Sequence, residues 1–234
     1  MNCSNVTDAA LQSIASAFKD NLRVLHIGYC GSVTDRGLAA LVNYCRAIQD
    51  LNLYGCTGLS RHALSYLRLC PLLRTVDISR IHALDDSSIA EWILPTAKLQ
   101  QQQQVMLSLG AAPGSPSAPH PDLNPNLPQI FVAQSQNPSA PYQQSASLLL
   151  RSISLDSCSR ISSLGLKVLL EHCPSLREIN AFGMQNLSML GLQSLLRIAV
   201  AIHSPLVRLE VGGCPALNPV QLEMLRKEFP KIAF

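Results

Sequence analysis

The sequence predicts an α/β solenoid with one short strand and one helix per repeat. Three observations predict it. Residues Leu22, Leu25 and Ile27 are spaced L-x-x-L-x-L and are followed by Cys30, a Val33-Thr34-Asp35 turn, Gly37-Leu38, Leu41 and Cys45. The pattern begins again at Ile48, Leu51, Leu53 and Cys56, and Cys30 to Cys56 is 26 residues. Within each copy the apolar spacing changes from that of a strand to that of a helix, here at Leu38, Leu41 and Val42.

A period of 20–29 residues with this spacing is that of leucine-rich repeats. The predicted fold is therefore a leucine-rich-repeat solenoid, a βα horseshoe with a parallel concave sheet and helices on the convex side. Its crossovers are right-handed, as strand–helix–parallel-strand connections are. Leu22, Leu25 and Ile27 face inward, and Thr34 or Asp35 caps the following helix by accepting from its free N–H groups. One repeat cannot bury its apolar face alone; a stack can.

The first residues join in mid-repeat, where Cys3, Val6-Thr7-Asp8, Leu11, Ile14 and Phe18 match Cys30 through Cys45. The third repeat runs Ile48, Leu51, Leu53, Cys56, Leu59, Leu64, Leu67 and Cys70. In the fourth, Leu73, Val76 and Ile78 form the strand, Ile81 replaces the cysteine, and Ile89 with Trp92 or Ile93 packs helix against sheet. Residues 1–94 are thus one block of repeats. Residues 95–147 form a Gln/Pro-rich, low-complexity insertion, read as mostly flexible. It holds nine of the fifteen prolines and only Lys98 and Asp122 as charges, too little apolar surface to offset its ordering entropy. Val105 to Leu109 and Leu127 to Val132 leave decayed repeats open as an alternative. Residues 148–234 form the second block. Its repeats are Leu150, Ile153, Leu155, Cys158; then Leu176, Ile179, Ala181, Met184, with a longer helix to about His203; then Leu206, Leu209, Val211, Cys214. Ile232-Ala233-Phe234 starts another strand. Neither end shows a polar capping repeat, so the chain is expected to belong to a longer protein or to have its ends covered by a partner.

Of 234 residues, 47% are apolar and 14% charged, which is ample core, and the net charge of +3 makes no electrostatic case for nucleic acid. No secretory signal is visible, and no stretch approaches the roughly 20 apolar residues of a membrane span. The eight cysteines (Cys3, Cys30, Cys45, Cys56, Cys70, Cys158, Cys173 and Cys214) recur at fixed repeat positions and include no C-x-x-C pair. They read as small buried side chains in a reducing compartment, cytoplasm or nucleus. The six histidines show no metal-ligand spacing, and neither a G-x-S-x-G elbow nor a phosphate loop is present. No cofactor, metal or enzymatic activity is expected.

What remains is the concave face. Strand alternation turns the residues between the inward positions outward. Candidate protein-binding residues are His26, Asp50, Asn52, Tyr54, Asp77, Ser154, Asp156, Glu178, Asn180, Phe182, Arg208 and Glu210, with Tyr54 and Phe182 the aromatic anchors. Arg23, Arg74, Arg151 and Arg177 occupy the second strand position.

The signature L-x-x-L-x-L-x-x-C-x-x-[IV]-T-D-x-G-L-x-x-L-x-x-x-C is matched almost fully by Leu22 to Cys45, and by Leu150 to Cys173 with Ser162-Ser163 for Thr-Asp. It resembles the cysteine-containing leucine-rich repeats of F-box proteins, over about three quarters of the chain. The resemblance implies a substrate receptor of a Skp–cullin–F-box (SCF) ubiquitin ligase, in which the repeats bind the substrate and an upstream F-box docks the Skp-type adaptor. No F-box lies ahead of Cys3 in this sequence, and Leu127 to Phe131 is too short and proline-broken to serve. Skp-type adaptor and cullin are therefore expected only with an F-box upstream of Met1. The alternative is an F-box-less repeat protein acting as adaptor, scaffold or inhibitor.

Overall fold

A computed structural model describes residues 6–94 and 149–234. Six three-residue strands form one parallel sheet in sequence order. They are β1 (Val24–His26), β2 (Asp50–Asn52), β3 (Thr75–Asp77), β4 (Ser152–Ser154), β5 (Glu178–Asn180) and β6 (Arg208–Glu210). The helices are α1 (Asp8–Phe18), α2 (Asp35–Tyr44), α3 (Ala63–Tyr66), α4 (Asp86–Ile93), α5 (Ser163–His172), α6 (Met189–Ala201) and α7 (Pro219–Glu228). The repeats fold as the expected leucine-rich-repeat solenoid. Leu25, Leu51, Val76, Ile153, Ile179 and Leu209 are mutual partners along the sheet. All but Leu25 are buried; Leu25, on the edge strand, is half-covered.

β3 pairs directly with β4, Val76 opposite Ile153. Across this junction Asp85 bridges Arg160, and Ile78 N–H donates to Ser154 O at 3.0 Å. β3 and β4 are thus immediate neighbours in the sheet. The insertion itself, its two apolar fragments and Cys3 lie outside the described residues.

The members of the Thr-Asp-x-Gly motif have a physical cause, seen at three of the junctions. Thr34 caps α2, its hydroxyl accepting from Arg36 N–H. The aspartate one residue later serves the next repeat. Asp8 accepts from Thr34 N–H (2.8 Å) and Thr34 Oγ1–H (2.6 Å). Asp35 accepts from Ser60 N–H (2.8 Å) and from its hydroxyl. Asp86 accepts from Ser162 N–H (2.8 Å), Ser162 Oγ–H (2.6 Å) and Gly165 N–H (2.9 Å). The glycine leaves room for that carboxylate: a Cβ on Gly37 would sit 2.3 Å from Asp8 Oδ1, and one on Gly165 2.7 Å from Asp86 Oδ1.

Three local expectations are corrected. The third repeat's helix is only Ala63–Tyr66, continued by a 3-10 turn at Leu67–Leu69. Cys56 to Cys70 is 14 residues where Cys30 to Cys45 is 15, and the tighter turn makes up the missing residue. Phe18, assigned to the core position of Cys45, is 53% exposed, because α1 ends the described stack and no helix covers its outer side. The long helix of the sixth repeat ends at Ala201, before His203, whose φ of 53° lies outside the helical region. Trp92 and Ile93 are both buried.

Alanine in place of glycine ordinarily stabilises a helix by about 1 kcal/mol. Gly165→Ala should instead destabilise by about 1–3 kcal/mol, since it expels Asp86 from its three donors. In urea unfolding, the same change in an Asp86→Ala background should cost much less. A stabilising single change would contradict the role given to Asp86.

Candidate functional site

All twelve candidate residues lie on the open face of the sheet, exposed or half-buried. The structure sorts them into groups with different duties. At one end His26 Nε2 meets Asp50 Oδ1 at 3.2 Å, between β1 and β2. In the middle runs a polar ladder. Asn52 Nδ2–H donates to Asp77 Oδ2 (3.1 Å), Ser79 and Ser154 hydroxyls meet at 2.8 Å, and Asn180 Nδ2–H donates to Ser154 Oγ (3.1 Å). The side chains of Asn52, Asp77 and Asn180 also turn back on their own backbone. They accept from Tyr54 N–H (3.0 Å), Ser79 N–H (3.0 Å) and Phe182 N–H (3.0 Å). These are Asx turns that end the strands, so these candidates are occupied within the fold. At the far end Glu178, Arg208 and Glu210 line, with Ser152, Ser154 and Asn180, a shallow depression of about 280 Å³. Arg208 is ion-paired with Glu210 there.

The aromatic anchors are held differently. Phe182 is 49% exposed and lies on the backbone of the next repeat, where a Cβ on Gly212 or Gly213 would come within 3.0 or 2.9 Å of its ring. Tyr54 packs edge-on against Tyr29, ring centroids 4.8 Å apart. The Arg80 guanidinium lies 5.4 Å from the Tyr54 centroid and 3.9 Å from Asp156. A side-chain hydrogen bond to Tyr29 and partial burial, opposed by the charge of Arg80, push the Tyr54 phenol up to about 12. It stays protonated, a neutral donor and apolar ring together, at physiological pH.

Tyr29 and Arg80 are neighbours of Tyr54 that alternation missed. Counting outward and inward from the strand, they belong inside. Yet the residue at this position is left-handed in all six repeats: Tyr29 (61°), Gly55 (65°), Arg80 (57°), Ser157 (58°), Gly183 (65°) and Gly213 (68°). The reversed φ returns the side chain to the open face and lets the ladder continue past the strands. Tyr29 N–H donates to Tyr54 O, Arg80 N–H to Asp156 O and Ser157 N–H to Phe182 O, at 2.6–2.9 Å. The signal was present: three glycines stand at the same repeat position.

The seven described cysteines are buried thiols. Three of those after the strands donate S–H to carbonyls of the preceding repeat: Cys56 to Ile27 O (3.2 Å), Cys158 to Ile78 O (3.4 Å) and Cys214 to Ala181 O (3.3 Å); Cys30 donates within its own repeat, to Gly28 O (3.7 Å). Burial pushes Cys56 up to about 11 and Cys70 and Cys158 up to about 12, and raises Cys45 and Cys214 as well. Such thiols are not nucleophiles at neutral pH. The described residues contain no group of three or more His, Cys, Asp or Glu placed to share an ion. No helix among them is long and apolar enough to cross a membrane.

No family model matches the chain. Among solved structures, a chain described as "Crystal structure of Rad7 and Elc1 complex in yeast" matches with a TM-score of 0.59 at 16% identity, over 92% of this chain. This chain spans 42% of that one. At such identity the likeness shows the fold, a repeat solenoid of parallel strands and helices.

Asn180→Ala should lower stability by about 1–2 kcal/mol, because Phe182 N–H and Ser154 lose their partners. Phe182→Ala, an exposed position, should stay within about 1 kcal/mol of wild type. Guanidinium melts that reverse this order would mean Phe182, and not the ladder, supports the turn.

Proposed function

We propose that this chain is a protein-recognition solenoid that presents substrate to an SCF-type ubiquitin ligase. The observation that carries the recognition part is the unbroken six-strand face, continuous from β3 to β4. Solenoids offer such extended surfaces to partners. On it the Tyr29–Tyr54–Arg80 cluster and Phe182 are fixed before any partner arrives, which lowers the entropy lost on binding. The protein acts by positioning: the face holds a partner and other subunits supply catalysis. The ligase part is supported by the resemblance of residues 22–45 and 150–173 to the cysteine-containing repeats of F-box proteins. The recognition part is also supported by a fold neighbour solved in a complex of two proteins. The buried thiols suit a reducing compartment, cytoplasm or nucleus.

Affinity purification of the tagged full-length gene product should recover a Skp-type adaptor and a cullin together with a substrate protein. Tyr54→Ala with Phe182→Ala should deplete the substrate and leave adaptor and cullin in place. Recovery of the face-dependent partner with neither adaptor nor cullin would make this an F-box-less scaffold instead.

A further inference from the structure

We propose that Arg74, Arg151 and Arg177 form a second recognition site, a carboxylate-binding rim that takes an acidic segment of a partner protein. Each lies two residues before the inward centre of its strand, immediately ahead of β3, β4 and β5, so the repeat period places them side by side at three adjacent strand entries. The backbone fixes that register tightly. Arg151 N–H donates to Arg74 O (2.7 Å), Arg177 N–H to Arg151 O (2.8 Å) and Val207 N–H to Arg177 O (2.8 Å). Neighbouring strands are about 4.8 Å apart, so the row is about 10 Å long.

All three side chains are exposed. Among the described residues none of them is within ion-pair distance of a carboxylate. The other arginines of the sheet do have partners: Arg80 meets Asp156, Arg208 meets Glu210, and Arg23 donates to the carbonyls of Asp20 and Ala47. Like charges directly opposite one another on neighbouring strands repel, and this row carries three with no internal counter-charge. An external anion relieves that repulsion. Guanidinium groups grip carboxylates through two parallel N–H donors, a geometry lysine lacks.

The surroundings favour a peptide over a nucleic acid. Leu72, Leu149 and Val207, 39%, 39% and 49% exposed, stand beside the arginines at the strand entries, so the rim is part basic and part apolar. The adjoining open face carries Asp50, Asp77, Asp156, Glu178 and Glu210, which repel a long phosphate backbone. A short segment with acidic and apolar residues fits the rim and ends before that face. The site is separate from the Tyr54–Phe182 surface and does not rest on the function proposed for it.

The test uses the whole 234-residue chain and fluorescence anisotropy of a short labelled peptide of alternating Glu and Leu. Wild type should bind it saturably and more weakly as salt rises. The triple change Arg74→Gln, Arg151→Gln, Arg177→Gln should weaken binding by about tenfold or more, while Arg36→Gln, an exposed arginine on α2, and the Tyr54→Ala/Phe182→Ala pair should bind as wild type. Circular dichroism establishes that the triple variant is folded. If it is not, Arg151→Lys, which keeps the charge and loses the fork, should weaken binding by about threefold. Absence of saturable binding by wild type, unchanged affinity of the folded triple variant or of Arg151→Lys, or stronger competition by a single-stranded oligonucleotide of equal charge, would each overturn the proposal.

Discussion

Each repeat of this chain leaves polar groups and apolar surface that only the next repeat can satisfy. Strand carbonyls, the aspartates that open α1, α2 and α4, and the thiols of Cys56, Cys158 and Cys214 find their partners in the neighbouring repeat. Asp86 reaches Ser162 and Gly165, and Cys158 reaches Ile78 O, across the same junction that β3 and β4 share. An unmet buried donor or acceptor costs about 1–3 kcal/mol, so a slip of one residue would leave several such costs at every interface. Registered stacking is thus the constraint from which the rest follows. It also explains why β4 takes the place next to β3 that any following repeat would take.

The same constraint builds the surface. A left-handed residue three positions past each three-residue strand turns its own side chain back onto the open face. Repeated six times, this puts Tyr29, Tyr54 and Arg80 against one another and lays Phe182 over Gly212 and Gly213. The polar ladder of Asn52, Asp77, Ser154 and Asn180 stiffens the floor beneath them. The outcome is a rigid, mostly polar sheet with a few fixed aromatic and cationic projections. Such a surface is what the proposed recognition role requires. Buried thiols held well above neutral pH are part of the packing.

The columns of the core were legible in the sequence because burial follows the period: Leu51, Val76, Ile153 and Ile179 could each be placed by counting. So could the cysteines, since a thiol is small enough to repeat at one crowded position. The direction of side chains just past the strands was not legible by alternation. Tyr29 and Arg80 obey a backbone dihedral, and only the glycines at equivalent positions hinted at it. Asn52, Asp77 and Asn180 looked like free binding groups because the sequence shows that a side chain points outward and does not show that it turns back to its own amide. Phe18 and the short α3 depart from the pattern where the stack ends and where one residue is missing.

The register between Val76 and Ile153 is the point at which the stacked solenoid is most exposed to test. In an isotope-labelled sample, nuclear Overhauser contacts between the backbones of Thr75–Asp77 and Ser152–Ser154 read it directly. Parallel cross-strand contacts, with Ile78 N–H protected from exchange by Ser154 O, are the predicted result. Contacts of either strand with residues 95–148 in place of each other, or two blocks that melt independently, would contradict it.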